Sequence, residues 1–366
     1  MKKIIKSIML LPILAGCTIN INFQLAVPSE VVSNINNINN NNSTNNPAPT
    51  AEKYSVGLGY HAEWGGTVGT AAKFDLTTAF AAFDAEGKVY DVRFDVVQVK
   101  VTANDTKDGI KLTNTNIVDG SVTTNLELGS AHGMNDDVSN IDKTMNTQIE
   151  SFADYCAGKT VAEVIASTTG AGHGIAVAPE LEGKVTIAVD DFEAALQYAY
   201  DHKTTATYEL SGTAGVAMIS YLANGFYSEI NVEFAGAFVK DGKVEVALLD
   251  TVVYPLTVSA EGAIDPNASS YYFNNGDTSK LRSKKDLGDE YSMAHRNGGY
   301  DENCVLEWYE QAAIIEKACI GKTSSEISAL MHNEGDLASV SITTYSYIKA
   351  LAKAADYAGR TVINPN

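Results

Sequence analysis

Hydrophobic and polar positions along the chain change period in a fixed order, and they do so twice. Apolar and polar residues alternate in FAAFDAEGKVYDVRFDVVQVKV (80–101) and again in FAGAFVKDGKVEVALLDTVVYPLTV (234–258). Each stretch predicts a β-hairpin that turns at a Gly-Lys-Val, at Gly87 or Gly242, and whose second strand reaches an aspartate, Asp95 or Asp250. A methionine-containing segment follows in both, TTNLELGSAHGM (123–134) and RSKKDLGDEYSM (282–293). The period then changes to that of amphipathic helices over 145–156 and 305–319, each ending near the glycine of a Gly-Lys-Thr. Both units close on a short strand, holding Thr186 or Ser341, and a second helix, in 181–202 and 336–358.

Landmarks that recur in one order at an offset of about 155 to 163 residues mark an internal duplication. The predicted class is α+β: two tandem duplicated domains, 53–203 and 204–361, each a small antiparallel sheet with two packed helices, followed by a tail, 362–366.

Gly-Lys-Thr is also the end of a phosphate-binding loop, which needs a glycine five residues before its Gly-Lys. Ala153 and Glu316 stand there, and each Gly-Lys-Thr follows a helical segment rather than a strand. Gly158 and Gly321 are therefore expected to stop a helix in the left-handed conformation that glycine adopts most readily.

The first 52 residues belong to neither copy. Lys2, Lys3 and Lys6 precede a short apolar run, 8–14, too short to span a bilayer, and the run ends in Leu14-Ala15-Gly16-Cys17. This resembles the leader and lipobox of bacterial lipoproteins. The resemblance implies cleavage after a signal peptide, 1–16, acylation of Cys17, and a bacterial, extracytoplasmic protein anchored to the cell membrane by lipid. The segment 17–52 is rich in Asn and reads as a disordered tether.

Formal charge is −19, and loss of the three leader lysines takes it to −22. So acidic a chain is repelled by nucleic acid, and lipid is expected as a partner only through the anchor. Three cysteines remain after Cys17, an odd number that makes no disulfide framework; Cys156, Cys304 and Cys319 read as small buried thiols.

The order of hairpin with Gly-Lys, methionine segment, helix ending at Gly-Lys, hydroxyl residue and final helix resembles the FMN-binding domain of sodium-pumping respiratory complexes. That domain also occurs as tandem copies in flavin-carrying surface lipoproteins. The resemblance implies FMN as cofactor, electron transfer as role, and a motif Asp-x-x-[Ser/Thr]-Gly-Ala-Thr before the last helix whose final Thr carries the flavin phosphate. Asp336 and Ser339 match the motif, Gly-Ala is missing, and the attachment place falls on Ile342. In the first copy Leu181 replaces the Asp, and Thr186 is the matching hydroxyl. A flavin held without a covalent bond, or no flavin, are both consistent with this pattern.

Expected cofactor-binding residues are Trp308, Tyr309, Asp336, Ser339 and Ser341 in the second copy and Thr186 in the first. Trp308 and Tyr309 suit stacking on a flat ring, and the hydroxyls suit a phosphate. Tyr291, Met293, His295 and Arg296 lie in a loop of the second copy that suits ligand contact. The equivalent loop of the first copy holds His132, Asp136 and Asp137, without the spacing of a metal site. No catalytic residues and no metal ligands are identified. The competing expectation is a non-catalytic surface lipoprotein that binds a small solute, the cell wall or a protein without any cofactor.

Overall fold

The computed structural model describes residues 52–68, 71–134, 141, 143–168, 178–225, 227–299 and 302–359. Cys17, the leader, the tether up to residue 51, Asp136, Asp137 and the tail 362–366 lie outside the described residues.

The duplication is visible as two antiparallel sheets of the same build. In the first copy β1 (Ser55–Val68), β2 (Ala71–Phe83), β3 (Val89–Ala103) and β4 (Ile110–Leu112) lie side by side in chain order. In the second, β5 (Thr213–Asn224), β6 (Ser228–Lys240), β7 (Lys243–Val258) and β8 (Ile264–Pro266) do the same. The helices also correspond. The first copy has α1 (Asn125–Leu128), α2 (Met145–Cys156), α3 (Val161–Thr168) and α4 (Asp190–Asp201). The second has α5 (Lys284–Leu287), α6 (Trp308–Cys319), α7 (Ser324–Ser328) and α8 (Tyr345–Tyr357). The α+β class holds, and β1 and β5 add to each sheet a long strand that the hairpin pattern does not reveal.

The two sheets pack face to face, and both copies fall within one compact unit. Phe74, Leu76, Val97 and Val99 of the first sheet share a core with Ile230, Val232, Phe234 and Tyr254 of the second. Strand alternation turns the other side of each sheet toward helices. There Phe94 of β3 meets Phe152 of α2 and Phe192 of α4, at ring separations of 5.5 and 5.4 Å. The last helix of each copy lies so close to the first strand that only glycine fits beneath it. A Cβ on Gly57 would stand 2.0 Å from the carbonyl oxygen of Ala199 in α4, and one on Gly215 2.1 Å from that of Ala354 in α8.

Pairing register corrects the alignment of the copies. The sequence match sets Phe80 against Phe234. In the sheets, however, Ala79 faces Phe94 as Ala235 faces Leu249, each next to the shared aspartate, so Phe80 corresponds to Gly236. Both strands carry Phe-Ala, and the first hairpin turn is one residue longer, which hides the slip. The slip is even, so every side chain keeps its face. In the folded chain Phe80 fills the space that its counterpart leaves open: a Cβ on Gly236 would be 2.1 Å from the Phe80 ring.

Two further expectations change. The helix expected over 305–319 begins at Trp308, because Glu307 is extended and closes a capping box with Glu310. The short strands at Thr186 and Ser341 are irregular segments instead. A side chain, described next, takes the place of the neighbouring strand.

Candidate functional site

Each Gly-Lys-Thr does three jobs in sequence. Gly158 and Gly321 follow the ends of α2 and α6 with φ of 77° and 76°. Their N–H groups donate to Val89 and Val244 at the start of the hairpin's second strand, which in turn donate to Lys159 and Lys322. Thr160 and Thr323 then start the next helices, exchanging hydrogen bonds with Glu163 and Glu326 in the manner of a capping box. No ligand is needed to account for the motif.

The hydroxyl residues expected at the phosphate are tied down in the same way in both copies. In the first, Gln148 Oε1 accepts from Thr186 N, Thr186 Oγ1 and Ile187 N, and its Nε2 donates to Lys143 O. In the second, Gln311 Oε1 accepts from Ser341 N, Ser341 Oγ and Ile342 N, and its Nε2 donates to Leu306 O. Both amides also lie against the methionine of the preceding segment, Met134 or Met293. One buried glutamine thus stands in for a strand partner. Replacing it by leucine leaves three donors without an acceptor. Gln311→Leu is expected to lower stability by about 3 kcal/mol, read from the urea midpoint, and Gln148→Leu by a similar amount. An unchanged midpoint for both would remove this account of the loop.

The two hairpin aspartates hold the short helices. Asp95 Oδ1 accepts from Leu126 N and from its own neighbour Val96 N; Asp250 Oδ1 accepts from Lys285 N and Thr251 N. Both are fully buried, and burial pushes their carboxyls up, to about 7 for Asp95, where Glu127 adds to the effect, and about 6 for Asp250. The helices they hold join the copies to each other. Tyr357 of α8 donates to Glu127 at 2.8 Å, and Tyr198 of α4 donates to Asp286, which also takes the Tyr60 hydroxyl at 2.7 Å.

A cavity of about 640 Å³ lies mainly in the second copy, with Asp119, Gly120 and Ser121 of the first copy on its wall. Its floor is β5 and β6, its sides are the segment after α5 and the first turn of α6, and its mouth passes Ser341–Thr343 and the start of α8. Glu233 on β6 is 1% exposed; its Oε1 takes the Tyr221 hydroxyl at 3.2 Å, and its Oε2 has no hydrogen-bond partner among the described residues. Burial pushes this carboxyl up to about 7, against the pull of the Ser346 hydroxyl and the Lys284 ammonium. Lys284 is 8% exposed, with its Nζ 5.4 and 5.5 Å from the ring centres of Tyr291 and Trp308 and 3.5 Å from the Tyr347 hydroxyl. Trp308 Nε1 donates to that same hydroxyl at 3.1 Å.

Comparison of the copies isolates these residues. Glu233 faces Thr251 as Thr77 faces Val96, so Thr77 is its counterpart. Lys284 and Asn125 each open a short helix, Trp308 and Met145 open the next, and Tyr347 and Phe192 are third in the last. The first copy therefore buries a neutral set, Thr77, Asn125, Met145 and Phe192, where the second lines a cavity with a carboxylate, an ammonium and two polar-edged aromatics. At the positions of Ile219, Tyr221 and Ser346 the first copy has His61, Glu63 and Asp191, with His61 Nε2 3.8 and 3.5 Å from the two carboxylates. Burial, reinforced by Glu63, holds Asp191 up at about 6.

The sequence-predicted residues divide. Trp308 and Ser341 line the cavity, with Tyr291 and Met293. Tyr309 points elsewhere and donates to Asp289; Asp336 is exposed and pairs with Lys322; Ser339 is exposed away from the cavity. Thr186 serves the glutamine lock of the first copy. His295 and Arg296 are engaged with Gly299 O and with Glu310. Cys156, Cys304 and Cys319 are free and buried, and burial raises the Cys319 thiol to about 12. Glu233, Lys284 and Tyr347 escaped the sequence reading. No protein-family model, curated protein or solved structure matches the chain.

Proposed function

We propose that the chain is an exported lipoprotein, anchored through Cys17, whose second repeat binds a flat aromatic small molecule, in the first instance a flavin, for electron transfer at the cell surface. The observation that carries this reading is the cavity itself. Its volume falls within the range of small-molecule sites, roughly 300–1,000 Å³. Its walls combine Tyr291, Trp308 and Tyr347 with a buried acceptor and a buried cation. Aromatic walls suit a ring system, and the unpartnered Glu233 Oε2 fits a ring N–H.

The phosphate of FMN would meet the start of α8 at the cavity mouth, where Thr344 makes no side-chain cap and where Lys349, now paired with Asp119 at 3.4 Å, would turn to it. The Ser341 hydroxyl is already bonded to Gln311, and Ile342 offers no oxygen, so the flavin is held without a covalent bond. A bound flavin would supply the redox chemistry; Trp308 and Tyr347 would fix its plane, and the surrounding protein would set its potential.

The test is the visible spectrum and intact mass of the mature chain, before and after incubation with FMN and desalting, with a titration of FMN fluorescence. The expected results are quenching on titration, absorbance retained near ~450 nm, and no added covalent mass. A colourless protein that does not quench FMN would leave the competing surface-binding reading in its place.

A further inference from the structure

Within that cavity, and resting on the reading that it takes a ligand, we propose that Glu233 and Lys284 together read a lactam or imide edge, a ring N–H beside a ring carbonyl. The ligand class is the planar heterocycles that carry such an edge, flavins among them. Glu233 Oε2 accepts the N–H, and the Lys284 ammonium donates to the adjacent carbonyl.

Three observations carry this. Glu233 Oε2 makes no hydrogen bond of ordinary geometry among the described residues, although the Ser346 and Tyr347 hydroxyls lie beside the carboxyl. A carboxylate oxygen buried to this depth and held so loosely is rare, because its desolvation is normally offset by a full hydrogen bond. The neighbouring ammonium is similarly under-used. Among the described residues its one hydrogen bond is the long contact to Tyr347, and two ring faces accompany it. Acceptor and donor therefore both line the cavity, Glu233 on its floor and Lys284 at the start of α5, between aromatic walls that admit a flat group. Finally, the related copy dispenses with both charges, through Thr77 and Asn125, although the two folds match in sheet order, glutamine lock and caps. The charges are thus not required by the architecture, and a buried pair of this kind is costly to keep for stability alone.

The opposing sign of the two groups decides the ligand's chemistry. A purely anionic group at the floor would be repelled by Glu233, and a purely cationic one by Lys284. A neutral edge that donates once and accepts once satisfies both.

The experiment compares riboflavin with 3-methylriboflavin by fluorescence quenching, on the mature chain and on Glu233→Thr, which installs the residue of the first copy. Methylation removes the imide N–H and leaves the rings and carbonyls in place. Wild type is expected to bind riboflavin at least about tenfold more tightly than the methylated form. Glu233→Thr is expected to lose that preference by weakening riboflavin binding alone, and Lys284→Met to weaken both ligands. Equal affinity of wild type for the two flavins overturns the proposal and leaves the binding reading intact. Absence of quenching by either flavin overturns both. Retention of the preference by a folded Glu233→Thr also overturns the assignment, and if that variant does not fold, the wild-type ratio alone decides.

Discussion

Alanine at Gly57 or at Gly215 is expected to prevent cooperative folding, at a cost of about 4 kcal/mol or more. The added Cβ would meet a main-chain carbonyl oxygen of the covering helix at 2.0 or 2.1 Å. A main-chain atom, here in the last turn of each helix, has no rotamer to change, so that end of the helix must lift from the sheet. Lifting α4 withdraws Phe192 from Phe94, and the helix also carries Tyr198 into the contact with Asp286 that joins the copies. The loss thus spreads beyond one cavity-sized defect, as overpacking against a rigid neighbour does. Gly158→Ala is the control. Its φ is 77° and nothing lies within 4 Å of the new Cβ, so it bears only the strain of the left-handed conformation, about 1–2 kcal/mol. Circular dichroism and urea unfolding of the three variants check the ranking. A cooperative Gly57→Ala with a midpoint no lower than that of Gly158→Ala would show that α4 does not press on β1 as described.

Those two glycines also show what the sequence disclosed and what it withheld. Period and punctuation reveal the hairpins, α2, the stop at Gly-Lys and the duplication, because each is a local pattern. The close approach of a helix to Gly57 depends on the path of a chain some 140 residues later, and nothing local marks it. The strand expected at Thr186 and Ser341 fails for a related reason. Amides that need an acceptor look the same in sequence whether a strand or the Gln148 or Gln311 side chain supplies it. How the two copies pack has no local mark either: the apolar inner faces of both sheets, which join them, read locally as ordinary strand cores.

For the cavity, the sequence named Trp308, Ser341, Tyr291 and Met293, which line it, and omitted its two charged residues, Glu233 and Lys284. Glu233 lies inside an apolar strand, where a charged residue is itself a signal. An alignment of Phe80 on Phe234 sets Glu233 against Ala79 and hides the change from the polar Thr77 to a carboxylate. Correct register converts the duplication into an internal comparison, and Glu233, Lys284, Trp308 and Tyr347 stand out as four coordinated differences. Tyr309 neighbours Trp308 in sequence, but helix geometry turns it away by about 100°, and Asp336, which fits the motif, pairs with Lys322 instead.

Stability is expected to fall as pH rises from 5 to 8, against the common preference of folded proteins for neutrality. Burial lifts the carboxyls of Asp95 and Glu233 to about 7 and that of Asp250 to about 6. In the unfolded chain the same groups titrate near 4. Between these limits the folded state binds more protons than the unfolded one, so the slope of stability with pH is negative. The favourable contribution is complete below the unfolded values and is lost as pH passes through about 6 to 7. Asp95 alone accounts for on the order of 2–4 kcal/mol, since each tenfold difference in proton affinity between the folded and unfolded chain is worth about 1.4 kcal/mol. Asp95→Asn separates the charge from the hydrogen bonds: the amide oxygen continues to accept from Val96 N and Leu126 N, and the amide nitrogen takes the place of Oδ2. This variant is expected to be more stable than wild type at pH 8, to lose the advantage at pH 5, and to show a shallower pH slope. Urea midpoints of both proteins across that range test the sign directly. A wild-type midpoint that is flat or rises from pH 5 to pH 8 would mean that these carboxylates find compensation for their burial, and Asp95→Asn would then bring no gain at any pH.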